Sequence, residues 1–393
     1  MHEPKTLTEL HECIKKWLYI KKTDNIDVIL ASYISLYHKG KPLWIFLIGR
    51  SGDGKTELVK SLIGLPNVRL LDQITPYTLA SGKKGSQDLG SELTGRHTLL
   101  IILDLASLLS LDSKEKKKIW GQFRNLYDGY IQRDTGGGRS VHYRDCHVNM
   151  LACSTSTIKK ESNVQAAMGT RELLYGFSNT QLAEDKVKMN RAIKNLEHQS
   201  QMNNEIKTAV NTFLRKKSYN EEIEIPADIH DFVIKECFDL MYLRASVEVD
   251  WYSGELMQSA EMEVPTRMIQ QLYLLYKSLK SLDKNYPDDK YKNIVKNIVK
   301  ESSHPIRYQL YKFFNEFEHQ KNEYTIPMLQ ERFKVGRKAI KAQCEILWNL
   351  NLLDKITRIE KIGGKIITDE NGNERETGGR INEVTYYKHR DGD

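Results

Sequence analysis

Little in this chain could staple it, anchor it or spread it out. Five cysteines among 393 residues, Cys13, Cys146, Cys153, Cys237 and Cys344, lie far apart with no C-x-x-C pair and no neighbouring histidine run. That excludes a disulfide scaffold and the usual zinc spacings, and it points to a reducing compartment. Apolar runs are short: none approaches the roughly 20 residues of a membrane span. The N-terminal "MHEPKTLTELHECIKKW" holds no apolar signal core. The expectation is a cytoplasmic protein with no membrane partner. Internal repeats and low-complexity tails are missing too, which removes solenoids and disordered arrays. Charge is barely of one sign, with 59 Lys and Arg against 52 Asp and Glu. A net +7 leaves room for an acidic partner such as nucleic acid without requiring one.

What is present suits an ordered chain of two or three domains, with 40% hydrophobic and 28% charged residues. Residues 1–40 read as a helical lead-in, because "LTELHECIKKWLYI" and "NIDVILASYISLYHKG" repeat apolar residues at three and four. From 41 to 180, apolar strands alternate with helices, the pattern of a parallel sheet with crossovers. The strands are read at "LWIFLIG", "VRLLDQI", "TLLIILDLA" and "HVNMLACS". Residues 181–300 form a helical lid: a long solvated helix or pair of helices at "LAEDKVKMNRAIKNLEHQSQMNNEIKTAVNTFL", then "IPADIHDFVIKECFDLMYLRA" and "VPTRMIQQLYLLYKSLKSL". His304-Pro305 breaks the chain near the start of a last unit, 301–393. There "IRYQLYKFFNEFEH", "TIPMLQERF", the turn "KVG", "RKAIKAQCEILWNLNLL" and the strand-like "KITRIEKIG" and "INEVTYYKH" follow the order of a winged helix-turn-helix. The fold class expected is α/β, a parallel-sheet core with a helical lid and that C-terminal unit.

The stretch "GRSGDGKT" leaves one apolar strand and opens an apolar-periodic helix, and it fits G-x-x-x-x-G-K-[ST]. Gly49, Ser51, Gly52, Asp53 and Gly54 offer backbone N–H groups that can wrap phosphates with few side chains in the way. Lys55 would reach the outer phosphates and Thr56 would ligate Mg²⁺, so ATP and Mg²⁺ are the expected cofactors. Asp104 ends the buried strand "TLLIILDLA" and supplies a carboxylate for the same ion. Beside it stands Leu105, where a glutamate would orient the hydrolytic water. Asp72 and Glu92 are candidates for that task, each equally readable as a solvent-facing turn carboxylate. Ser154 and Thr155 close "HVNMLACST", either as polar groups near the γ-phosphate or as turn formers. Arg171 in "MGTRELLYGF" and Arg267 in "VPTRMIQQL" open apolar segments, as phosphate-facing arginines or as surface ion-pair residues.

Between Asp104 and Ser154, "YIQRDTGGGRSVHY" alternates around three glycines and reads as a β-hairpin with a glycine tip. Arg133, Arg139 and Arg144 give it cations suited to gripping a phosphate backbone without reading bases, although a solvated surface hairpin has the same pattern. In the last unit Arg337, Lys338 and Lys341 cluster near the start of the helix that would enter a DNA groove. Winged helices that bind proteins leave a second reading open.

Taken as a set, "GRSGDGKT", "ELTGRHTLLIILDLASLLS", "LYDGYIQRDTGGGR", "LACSTST" and "MGTRELLYGF" resemble AAA+ ATPases related to MCM helicases, of the kind carried by phages and other bacterial mobile elements. The resemblance spans roughly residues 40–280 and continues into the winged helix. It implies a Walker A motif at Gly49–Thr56, a Walker B aspartate at Asp104, sensor 1 at Ser154, an arginine finger at Arg171 and a sensor-2 arginine at Arg267. "PYTLASGKKGSQDLGSEL" resembles the helix-2 insertion of that clade and "YIQRDTGGGRSVHY" its pre-sensor hairpin. The chain departs from the family at Leu105, and no zinc-bearing collar of the MCM kind stands before the loop. The implied activity is an ATP-dependent DNA helicase or translocase, a homo-oligomeric, hexameric ring holding single-stranded DNA in its pore and duplex at the winged helix. Two other readings stand beside it: an initiator or loader that uses ATP as a binding switch, and a regulator that recruits a protein through the winged helix.

Overall fold

The computed structural model describes residues 3–72, 74–75, 77–80, 88–135, 139–161, 171–177, 182–217, 219, 222–245, 257, 262–316, 318–362, 365–368, 374–377 and 380–390. The chain divides into two compact units, Met1–Met241 with Val264–Ser302, and Tyr242–Glu263 with Ser303–Asp393. The lead-in, the sheet and the helices up to residue 302 belong to the first, except that the helix Ala227–Arg244 runs into the second with its last three residues.

Two helices open the first unit, α1 (Leu7–Trp17) and α2 (Asp24–Ile34). Thr6 caps α1 by accepting the N–H of Glu9 at 3.1 Å, which satisfies one of the free donors at a helix start. A five-stranded parallel sheet follows: β1 (Trp44–Ile48), β2 (Val68–Leu71), β3 (His97–Ile102), β6 (His147–Ser154) and β7 (Leu173–Gly176), in the order β2-β3-β6-β1-β7. Residues of β1 are buried on both faces, which is why "WIFLI" carries no polar alternation. On one face Trp44, Phe46, Leu100, Met150 and their neighbours meet Trp120 and Phe123 of α6 (Ser113–Tyr127) in one apolar cluster. On the other, Asn149 donates to Ser35 Oγ at 2.7 Å and its carbonyl accepts the N–H of Leu43, so a buried amide stitches the lead-in to the sheet.

The remaining elements of this unit are α3 (Lys55–Lys60), α4 (Leu89–Leu93), α5 (Ala106–Leu109), the hairpin β4 (Ile131–Thr135) and β5 (Arg139–Tyr143), α7 (Leu182–Lys194), α8 (Gln199–Arg215), α9 (Ala227–Arg244), α10 (Thr266–Leu282) and α11 (Asp288–Ser302). The segment expected as one long helix or a pair is a pair, interrupted by a 3-10 turn at Leu196–His198. The four expected strands are β1, β2, β3 and β6. A fifth, β7, escaped the sequence reading because "LLYG" is too short to show a period of its own. It is defined by its pairing with β1, Ile45 opposite Leu173.

In the second unit α12 (Pro305–Asn315), α13 (Ile326–Phe333) and α14 (Arg337–Asn349) pack Leu310, Phe314, Leu329, Ile340 and Leu347 against Tyr387. The short β8 (Tyr324–Thr325), β12 (Arg380–His389) and β9 (Leu353–Ile362) form an antiparallel sheet in the order β8-β12-β9. Between β9 and β12, β10 (Lys365–Thr368) pairs with β11 (Glu374–Thr377). The sequence reading placed no strand here, because "TDENGNERETGG" is polar and shows no apolar alternation. Arg307 is buried, with its guanidinium donating to the carbonyl of Ala245 at 2.9 Å and to Gln343 Oε1 at 3.0 Å. Burial pulls its pKa down to about 10.

Candidate functional site

β1 delivers the chain into a loop at the C-terminal edge of the parallel sheet. There the N–H of Gly49 donates to the carbonyl of Ser154 at 3.2 Å, which fastens the loop to the end of β6. The backbone then enters the left-handed region twice, at Gly52 (φ 82°) and Gly54 (φ 84°), where any side chain would be strained. A Cβ built on either glycine meets nothing within 4 Å, whereas one on Gly49 would sit 3.4 Å from Asp53 Oδ2 and from the Lys55 amine. The outcome is a bare arc of backbone leading into α3.

Lys55, the first residue of α3, is 7% exposed and its amine donates to the carbonyls of Gly49 (2.9 Å) and Arg50 (2.8 Å). Burial lowers its pKa, opposed in part by the negative charges of Asp53 and Asp104. Asp104 lies just past β3, exposed, with Oδ1 accepting the N–H of Ala106 at 2.8 Å. Since β6 pairs with β3 on one side and β1 on the other, Ser154 at its end stands between Asp104 and the glycine loop. Cys153 marks the same place: burial pushes its thiol up to about 12, and it feels both Lys55 and Asp104. Thr56 is half-buried on the first turn of α3. Lys55, Thr56, Asp104 and Ser154 therefore share one edge of the sheet.

Helix α7 closes over this loop. Asp53 accepts the N–H of Arg50 at 2.9 Å and the Lys188 amine at 2.7 Å, while Arg50 holds Asp185 with both terminal nitrogens, at 3.0 and 2.7 Å. Beside the loop lies a cavity of about 270 Å³ whose walls include Gly52, Gly54, Ile20, Lys188, Asn195 and Met202. Asp185, Lys188 and this cavity were not foreseen. Their only signal was two opposite charges three residues apart in a charged helix, which a solvated helix shares.

Other expected residues fall elsewhere. Arg171 is 8% exposed and donates to Asp128 Oδ2 at 3.0 Å, over the ring of Tyr127. It precedes β7, at the N-terminal edge of the sheet, opposite to Lys55. Arg171, expected as an arginine finger or a surface ion-pair residue, is thus a buried residue ion-paired within its own chain. Arg267 also belongs to that opposite edge. One turn further along α10, the Gln271 amide accepts the N–H of Trp44 at 2.9 Å and donates to the carbonyl of Arg171 at 2.8 Å, which places this part of α10 at the start of β1. Leu105 is fully buried in the apolar cluster under α6, so the position beside Asp104 faces the core. Asp72 is exposed past the end of β2, and Glu92 pairs with Arg69 at 3.0 Å.

The hairpin pairs Thr135 with Arg139 and Arg133 with Val141. Arg133 donates to the carbonyl of Ala80 at 2.7 Å and stacks 4.1 Å from the centre of the Tyr77 ring. It braces the hairpin against the segment before α4 and does not project from the tip. Tyr143 packs on Gly90, where a Cβ would come within 2.3 Å of its ring, and hydrogen-bonds Asp88. Arg144 is exposed just beyond β5. The glycine tip 136–138, the Arg139 side chain and residues 81–87 lie outside the described residues. In the second unit Arg337 and Lys338 are exposed on the first turn of α14, with Lys341 half-buried one turn on.

Among the described residues no group of three or more His, Cys, Asp or Glu side chains could hold a metal ion, and no helix is long and apolar enough to cross a membrane. Mg²⁺ held by a hydroxyl, one carboxylate and ligand phosphates requires no such group. The bare arc, the Lys55 amine, the Thr56 hydroxyl and the Asp104 carboxylate fit a magnesium–triphosphate. No family model matches the chain, and no curated protein matches it. Among solved structures it is similar to the A-form apo structure of the NrS-1 C-terminal region, at a TM-score of 0.34 and 9% identity over 99% of this chain and 76% of that one. At that level the likeness transfers neither fold nor function.

Proposed function

We propose that the first unit is a P-loop ATPase core of the AAA+ kind, which binds Mg²⁺–ATP at the C-terminal edge of its sheet. One observation carries the reading: a bare glycine arc, Lys55 and Asp104 meet around the end of β6, although Lys55 and Asp104 are far apart in the chain. The loop amides would cradle phosphate oxygens, and Lys55 would neutralise the outer ones. Thr56 and Asp104 would hold Mg²⁺, which supplies further neutralisation of phosphate charge. Ser154, between them, would orient a water or a phosphate oxygen. The adjoining cavity has the size and mixed lining for a nucleobase, with Ile20 and Met202 for its faces and Asn195 for its edge.

The same proposal takes the chain as an ATP-driven DNA helicase or translocase of a phage or mobile element, assembled as a ring. Arg171 and Arg267 both sit at the far edge, so a cation beyond Lys55 for the transferring phosphoryl group would come from a neighbouring subunit. The hairpin fastened by Arg133 and Tyr143 would carry Arg139 and Arg144 to single-stranded DNA. We take the second unit as a winged helix, with α14 presenting Arg337, Lys338 and Lys341 to duplex DNA. A specific observation favours a second reading: buried Leu105 leaves Asp104 without an adjacent carboxylate, which suits an ATP-dependent binding switch with slow turnover.

Titration of the full chain with Mg²⁺–ATP tests the core of the proposal. Lys55→Ala should weaken binding roughly tenfold to hundredfold, the usual range for losing a charged hydrogen-bond donor. Unaltered affinity would remove the nucleotide site. Turnover stimulated by single-stranded DNA, with strand displacement, supports the motor; tight binding without turnover supports the switch.

A further inference from the structure

Arg50 and Asp53 lie within the loop motif, yet both direct their charges at α7. Asp53 and Lys188 form the buried pair, with side-chain exposures of 4% and 17%, and Arg50 with Asp185 the more open one. Asp185 and Lys188, three residues apart on one helix face, thus offer minus then plus to the loop's plus then minus. Asp53 does a second task, because its other oxygen holds the Arg50 N–H and with it the turn of the loop. One carboxylate fixes the loop's shape and its attachment to α7 together.

A buried carboxylate close to a polyphosphate is unfavourable unless a cation offsets both. Lys188 is the cation in place. Its side chain also lines the cavity beside Gly52 and Gly54, so its amine can face Asp53 and a ligand phosphate from one position on α7.

We propose that α7 is the element through which this chain registers a polyphosphate in the loop: Lys188 is shared between Asp53 and the phosphates, and the Arg50–Asp185 pair keeps the helix in step with the loop. Lys188 and Asp185 are positioning residues, and the inference rests on the nucleotide reading proposed above. Coupling of this kind is reciprocal. Triphosphate must stiffen α7, and the α7 charges must set triphosphate affinity.

The experiment uses the full chain with Mg²⁺ and a slowly hydrolysed ATP analogue, read by titration calorimetry and by amide hydrogen exchange over residues 182–194. Wild type should show slowed exchange across α7 on binding. Lys188→Ala should lose about tenfold in affinity together with that protection, a typical loss for one charged contact. The exchange of charges Arg50→Asp with Asp185→Arg should keep the protection, whereas Asp185→Arg alone should abolish it. Should Lys188→Ala fail to fold, Asp53→Asn with Lys188→Met removes both buried charges and is expected to bind without protecting α7. Binding by wild type that is lost in Lys55→Ala, with α7 exchange unchanged by ligand and Lys188→Ala binding like wild type, overturns this inference alone. Absence of any binding to wild type overturns the nucleotide reading and this inference with it.

Discussion

His304 stands at the start of α12, where its ring nitrogen Nδ1 accepts the N–H of Arg307 at 3.4 Å. Burial, reinforced by the Arg307 charge, lowers its pKa from 6.5 to about 4. The imidazole is therefore neutral in the folded chain at pH values where the unfolded chain already binds a proton. Its contribution to stability is complete above about pH 6.5 and is lost as pH falls toward 4, by about 3 kcal/mol in all. His304→Asn keeps a capping acceptor and removes the titration. Unfolding midpoints of wild type and His304→Asn should lie close together at pH 7 and separate as pH falls to 4, the wild type falling faster; parallel profiles would show that His304 is not buried as described. Residues of this kind were invisible beforehand, since a histidine before a proline looks like any helix start. That Lys55 and Asp104 come to one edge of the sheet was legible, because a glycine loop after a buried strand and the end of a second buried strand place them there. The place of Arg171 was not legible for the opposite reason: which edge of a sheet a residue reaches depends on where a distant strand begins.

At the scale of elements, β7 shows how an edge is closed. Among the described residues it pairs with β1 alone, and on α11 the Asn297 side chain both accepts the N–H of Gly176 (2.8 Å) and donates to its carbonyl (2.9 Å). The amide acts in the place of another strand, and the glycine is needed because a Cβ would come within 2.8 Å of Glu301 Cγ. Asn297→Leu would leave two backbone groups without partners, at a cost of about 2–4 kcal/mol. Faster amide exchange at Gly176 and a lower melting temperature are the expected results; an unchanged midpoint would mean that water replaces the amide. The four strands that could be read from sequence are those whose own apolar runs announce them. β7, β10 and β11 acquire their identity from partners, and no local period carries that information. The hairpin was legible from its alternation, but its bracing by Arg133 on Tyr77 and by Tyr143 on Gly90 was not. Those contacts join segments that the sequence reading had treated as two separate insertions.

Across the whole molecule, the proposed motor makes a demand that one chain does not meet. In that proposal Lys55 and Asp104 would serve one side of a bound triphosphate, while the arginines expected to serve the other lie at the far edge of the sheet, Arg171 paired with Asp128 and Arg267 one turn before Gln271. Catalysis then depends on a cation from another copy, and turnover should follow the concentration of assembled protein. Specific ATPase activity is expected to rise steeply with protein concentration and to level off where native mass spectrometry with Mg²⁺ and a slowly hydrolysed analogue reports a closed ring. Mixing in Lys55→Ala chains should lower activity by more than simple dilution, because each inactive site interrupts its neighbours. DNA adds a second dependence. With a net charge of only +7, binding has to come from local clusters such as Arg144 with the hairpin and Arg337 with Lys338 on α14, so affinity should fall with salt while ring assembly does not. Arg144→Ala should then weaken stimulation by single-stranded DNA and leave DNA-free turnover intact. Activity that is constant per chain at all concentrations, in a species that stays monomeric with the analogue bound, would remove the ring and with it the motor, and would leave the ATP-dependent switch as the reading to pursue.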